Sequence, residues 1–183
     1  MPFMTTLSDI RACSPCTDGW TKMLNTLGKN KADDEPLSLL TILDSNGLDD
    51  ALWCARAFKG HDRDFRLFAV WAARQVQHLM TDPRSMDALD VAEKFANGLC
   101  DDAARDAAGA AARDAAGAAA WAAAGAAAWA AAWAAAGAAA WAAARAAAGA
   151  AARDAARDAQ ENRLRQMVTD GEWIGSTQPE IKP

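Results

Sequence analysis

Four cysteines, two histidines and two acidic clusters are the residues of this chain whose types and spacing bear on chemistry. Cys13-Ser14-Pro15-Cys16 has the spacing of half a zinc site, and Cys54 and Cys100 could complete a four-thiolate set. A closed zinc site usually draws on a second paired motif, and these two are isolated cysteines within helical patterns. A redox CxxC belongs after a strand in a βαβ unit, which the sequence lacks. The pair therefore reads as a helix cap flanked by reduced thiols, with no metal. His61-Asp62 looks like a metal-binding dyad, but the one other histidine, His78, stands on a different turn. His61 thus reads as a loop residue at the surface. No Ser–His–Asp set, phosphate-binding glycine loop, GxGxxG or HExxH is present, so no catalytic residue and no cofactor is assigned.

The acidic clusters remain. Asp33-Asp34-Glu35 falls in a polar loop, and Asp49-Asp50 falls where a helix begins, so solvation and capping explain both. The sharper reading is a patch that meets a basic partner. Net charge is −5, with 11 basic and 14 acidic side chains in residues 1–100 and 8 and 10 in the remainder. Neither part is basic, which argues against nucleic acid as the partner, since that contact rests on neutralising phosphates. The start of the chain shows no basic and apolar leader, so a cytoplasmic protein is expected.

The elements that must position these residues are helices. Leu7–Ala12 makes a brief one. Ser14 as cap with Pro15 at the first helical position starts the next, which ends at Gly28. Pro36 opens a third, burying Leu37, Leu39, Leu40, Ile42 and Leu43. Asp49 and Asp50 open a fourth, which carries Leu52, Trp53, Cys54 and Phe58. Asp62 to Met80 reads as the central buried helix, with Phe65, Phe68, Ala69, Ala72, Val76 and Leu79 on one face and Leu67 and Trp71 widening it. Thr81-Asp82-Pro83 stops it and caps residues 83–97, where Ala88, Leu89, Ala92, Phe95 and Ala96 point inward.

From Asp101 to Gln160 the chain is almost entirely alanine, interrupted every fourth residue by Arg, Gly or Trp, with Asp directly after four of the arginines. Alanine is the best helix former. A step of four overshoots one helical turn by roughly 40°, so the marked residues spiral, and Trp121 and Trp141 fall roughly 200° apart on an unbroken helix. Such a helix is either packed on several sides or broken, and Gly125, Gly137 and Gly149 are the natural break points. Trp121, Trp129, Trp133 and Trp141 then fill gaps between close-packed Ala and Gly faces, or offer an aromatic docking surface. Asp101 with Arg105 and Asp154 with Arg157 are expected as ion pairs. Residues 115–144 carry no charge and are long enough to cross a bilayer, but they contain no Leu, Ile, Val or Phe, and their indoles lie mid-segment rather than at interfaces. The membrane is therefore the alternative and not the first reading. Beyond Gln160, Leu164, Met167 and Val168 form an apolar edge, Gly171 stops the helix, and Trp173 and Ile174 anchor a tail.

The expected fold is all-α: an irregular bundle or array of short helices over residues 1–100, continued by Ala-rich antiparallel helices over 101–168 packed on it, then a tail over 169–183.

The runs Leu37–Asp44 (LSLLTILD), Ser45–Phe58 (SNGLDDALWCARAF), Arg66–Asp82 (RLFAVWAARQVQHLMTD) and Met86–Gly98 (MDALDVAEKFANG), with the opening Cys13–Trp20, resemble a family of alanine-rich bacterial and prophage immunity proteins. In that family a helical region of this kind precedes an alanine repeat bearing Trp, Arg and Asp. The resemblance implies a non-enzymatic protein that neutralises a toxin or host effector by stoichiometric binding. On that reading Asp33, Asp34, Glu35, Asp49, Asp50 and the four indoles of the repeat are the candidate partner-binding residues.

Overall fold

A computed structural model of the chain describes residues 2–75, 77–80, 82–114, 138–175 and 177. Helices dominate, and the only sheet among the described residues has two strands of two residues. The chain divides into two compact units, one of Met1–Ala69 with Gln160–Thr177, the other of Val70–Ala159 with Gln178–Pro183.

In the first unit, β1 (Met4–Thr5) pairs antiparallel with β2 (Leu37–Ser38), with Met4 opposite Ser38 and Thr5 opposite Leu37. The fold is all-α as expected apart from this pair, which the sequence does not announce because strands so short show no alternation. Helix α1 (Leu7–Ala12) is capped by Thr6, whose Oγ1 accepts from Asp9 N. Ser14 does not cap the next helix. It takes a left-handed backbone (φ 58°) and donates its N–H to Arg11 O, so it terminates α1. Cys16 takes the capping role instead. Its Sγ accepts from Gly19 N at the start of α2 (Thr17–Thr26), and Gly28 follows that helix in a left-handed conformation.

Pro36 likewise does not open α3 (Leu39–Asn46). The chain first pairs as β2, and the Ser38 hydroxyl then caps the helix at Thr41 N. Leu39, Ile42 and Leu43 are buried at helical spacing. Gly47 separates α3 from α4 (Leu48–Cys54) without a linker; its φ of 90° is open to glycine and strained for other residues. With no side-chain cap at α4, Asp49 and Asp50 supply negative charge in its first turn. A 3₁₀ turn (Ala55–Ala57) follows.

The core of this unit is built from Phe3, Leu7, Ile10, Leu39, Ile42 and Cys54 with Leu164 and Met167 from the far end of the sequence. His61 is buried rather than a surface residue. Its ring stacks on Phe3 at 3.8 Å, and its Nδ1 stands 2.9 Å from Asp64 Oδ2. Asp64 Oδ1 accepts the backbone N–H of Trp173 at 2.8 Å, which fastens the tail. Trp173 is buried as expected, but the Ile174 side chain is 54% exposed, and Ile174 is held instead through its carbonyl, which accepts from the Arg163 guanidinium.

Helix α5 (Asp62–Arg74) is shorter than the sequence suggests. It gives way to a turn and a 3₁₀ segment, Gln77–Leu79, and Ala69 is exposed where an inward face was expected. In the second unit, buried Arg74 bonds Asp90 (2.8 Å), Glu93 (2.7 Å) and Gln77 (3.1 Å), which ties the end of α5 to α6 (Pro83–Ala96). Asp82 caps α6 with Pro83 at its first turn, as read from the sequence. Of the residues expected inward on α6, Ala96 is buried and Ala88, Leu89, Ala92 and Phe95 are half-buried.

Residues 102–114 are helical (α7). The Asp101 carboxylate caps this helix at Ala104 N, so Arg105 pairs with Asp102 (2.7 Å) and Asp106 (2.8 Å) and not with Asp101. Gly125 and Gly137 lie outside the described residues. Helix α8 (Ala138–Asp170) runs unbroken through Gly149, which overturns a break there. The cost of one interior glycine, about 1 kcal/mol, is small beside what a helix of this length gains by continuing.

Candidate functional site

Asn46, the last residue of α3, is the organising side chain beside a concavity in the first unit. Its Nδ2 donates to Gly19 O of α2 (2.9 Å) and to Asp50 Oδ2 of α4 (2.8 Å). Its Oδ1 accepts from Ser45 Oγ (2.8 Å), and its backbone carbonyl accepts from Lys22 Nζ (3.2 Å). One buried amide thus joins three helices with its polar atoms satisfied. Gly19 permits the close approach: a Cβ there would stand 2.9 Å from Asp50 Oδ2 and 3.2 Å from Cys16 Sγ.

Between α2 and α4 lies an open cavity of about 130 Å³. Its walls include Ile10, Trp20, Met23, Trp53 and Cys54, and among the described residues Asp50 is the one charged side chain that lines it. Arg11 lies over the Trp20 ring at 5.4 Å and Arg56 over the Trp53 ring at 4.3 Å, holding the indoles without entering the cavity. Asp50 accepts from Asn46 and forms no ion pair among the described residues.

The cysteines at this cavity differ sharply. Cys16 is exposed, whereas burial, helped by the Asp50 carboxylate and by Cys13, pushes the Cys54 thiol up from 9.0 to about 12. A thiol raised this way favours folding fully below its unfolded value, and that contribution is lost as pH rises from 9.0 toward 12. Iodoacetamide is expected to modify Cys16 in the native protein and to leave Cys54 intact until denaturant is added. Peptide mapping after a short pulse checks this, and equal labelling of the two in the native state would count against the buried assignment. Among the described residues no group of three or more His, Cys, Asp or Glu is gathered as a metal ion would need.

The acidic residues singled out from sequence differ in their surroundings. Asp33 pairs with Lys29 (2.6 Å), and its carbonyl accepts from Ser8 N and Oγ. The Lys29 ammonium holds the Asp33 carboxyl below the usual aspartate range. Glu35 shares the same lysine at 2.7 Å. Asp34 and Asp49 are exposed. Asp50 lines the cavity. Trp121, Trp129 and Trp133 lie outside the described residues, and of Trp141 the structure describes the helical backbone alone. Sequence reasoning missed Asn46, Gly19, Trp20 and Trp53 as parts of a site. The signal was present in Asn46-Gly47, a polar residue at the end of an apolar helix, but it reads locally as a stop.

Comparisons with family models, with curated proteins and with solved structures gave no match. No helix among the described residues is long and apolar enough to cross a membrane, and most of the uncharged stretch 115–144 lies outside them.

Proposed function

We propose that this chain is a non-enzymatic, cytoplasmic binding protein that neutralises a toxin or host effector by stoichiometric contact, with no cofactor and no nucleic acid partner. The observation that carries the reading is Asp50, a carboxylate without a cationic partner among the described residues, set in an indole-walled cavity beside exposed Asp49. Aromatic anchors in a pocket with a charge at its rim are the features that dominate protein–protein affinity. The runs Cys13–Trp20, Leu37–Phe58, Arg66–Asp82 and Met86–Gly98, which resemble those of immunity proteins, support the same reading.

The test is co-expression with the product of the neighbouring gene, since immunity proteins are commonly encoded beside their toxins. Protection of the cells and a purified one-to-one complex are expected. A toxic neighbour that kills regardless, with no complex formed, overturns the proposal. Within the complex, reversing two exposed carboxylates (Asp34→Lys with Asp49→Lys) is expected to slow association about tenfold at low salt, and the loss of the Asp49 charge from the first turn of α4 to lower the unfolding temperature only modestly. Unchanged association kinetics would remove the acidic surface from the binding face.

A further inference from the structure

We infer that the α2–α4 cavity is a socket for a lysine side chain of the protein partner; the choice of a partner as the source rests on the function proposed above. Size comes first. An apolar cavity of about 150 Å³ holds one benzene ring. The 130 Å³ here suits a slim group of about five heavy atoms, such as the four methylenes and nitrogen of lysine. The wall chemistry is second. Ile10, Met23, Trp20 and Trp53 suit an alkyl stem, and two indoles with one carboxylate are the surroundings that favour a desolvated ammonium. Charge is third. Arg11, Arg56 and Lys22 are all committed elsewhere, to Trp20, to Trp53 and to the Asn46 carbonyl, so the cavity itself carries only the Asp50 charge. The geometry is also preorganised. Asn46 fixes one carboxylate oxygen, and Gly19 leaves room for it, so the site accepts a cation without rearranging.

The experiment uses n-butylammonium, n-butylguanidinium and 1-butanol with the full chain, following the indole N–H resonances of Trp20 and Trp53. Saturable shifts with butylammonium are expected, several-fold weaker binding of butanol, and a several-fold loss of butylammonium affinity as salt is raised. Asp50→Asn, which can still accept from Asn46, is expected to lose about tenfold or more. The salt series on the unaltered protein decides the matter even if that variant folds poorly. No shifts, butanol equal to butylammonium, or salt independence each overturn the socket. Tighter binding of butylguanidinium overturns lysine as the occupant. In the complex with the neutralised protein, Asp50→Asn is expected to cost about tenfold in affinity, matched by one lysine-to-methionine change in the partner. If butylammonium binds as expected but no protein is neutralised, the proposed function falls and a partner's lysine falls with it as the source.

Discussion

Replacing Asn46 with aspartate is expected to unfold the first unit at neutral pH. The amide donates two hydrogen bonds, to Gly19 O at 2.9 Å and to Asp50 Oδ2 at 2.8 Å. A carboxylate has no proton to donate to either. The variant loses both bonds, at about 1 kcal/mol each, and leaves acceptors facing acceptors, at about 1–3 kcal/mol each. It also sets two negative charges against each other; even at an effective dielectric of about 20 this adds several kcal/mol before the side chains relax apart. A net loss of about 4–5 kcal/mol is comparable with the whole stability of a marginal domain. Asn46→Ala removes the same bonds without adding charge and is expected to cost about 2–3 kcal/mol, independent of pH. The aspartate variant behaves differently. Of the two facing carboxyls, one has its folded pKa raised, so its favourable contribution is present below the unfolded value of about 4 and lost as pH rises through the folded one. The gap between the two variants in a urea titration should therefore narrow as the solution is made acidic. A pH-independent gap would mean that Asn46 and Asp50 are not in contact. The same experiment bears on function, because Asn46→Ala should also loosen the cavity and weaken butylammonium binding without touching the cavity's charge.

Why Asn46 escapes a reading of the sequence, whereas many helix boundaries do not, follows from where each residue finds its partner. The cap at Asp82 and the stops at Gly28, Gly98 and Gly171 are satisfied within a few residues, and those positions are legible. Leu7–Ala12 is legible for the same reason, with Thr6 capping it locally. Ser14 and Pro36 mislead because each sits where two local rules compete. Ser14 is a good cap but is needed to end α1, and Pro36 is a good first helical residue but precedes a strand pair made with Met4 and Thr5. His61 and Asp64 are one turn apart, yet what buries them is Phe3 on one side and the Trp173 backbone on the other, 109 residues beyond Asp64. Of the candidate site, Asp50 is visible in the sequence as an acidic residue at a helix start. The cavity around it is not, since Trp20 and Trp53 carry no pattern that sets them apart from core tryptophans. The alanine repeat predicts helix and little else, because a face of methyl groups does not distinguish one partner from another.

The strongest of these long-range dependences predicts a large effect for Leu164→Ala. Leu164 and Met167 are 0% and 1% exposed, three residues apart on α8, and form the apolar edge by which the end of that helix enters the core of the first unit. Removing a fully buried leucine side chain costs its transfer energy and leaves a cavity, together about 3–4 kcal/mol. Two neighbours act as controls. Val168 is half-buried, and Val168→Ala is expected to cost under about 1.5 kcal/mol. Arg165 bonds Glu161 (2.8 Å) and Asp44 (2.7 Å), but it is partly exposed, so Arg165→Ala should change stability by less than about 1 kcal/mol. If the ion pair to Asp44 were what holds the helix end, that order would reverse, and thermal unfolding of the three variants separates the cases. Ending the chain at Ala159 should be worse than any of them. It removes Leu164, Met167 and Trp173 together, strips Asp64 of its bond to the Trp173 N–H, and uncovers Phe68, whose ring meets the Trp173 indole edge-on at 6.4 Å. A chain that begins folding from its first 69 residues thus completes that unit only when residues 160–177 arrive, and such non-local closure is intrinsically slow. Stopped-flow refolding should accordingly show Leu164→Ala accelerating unfolding more than it slows folding, as for contacts made after the transition state.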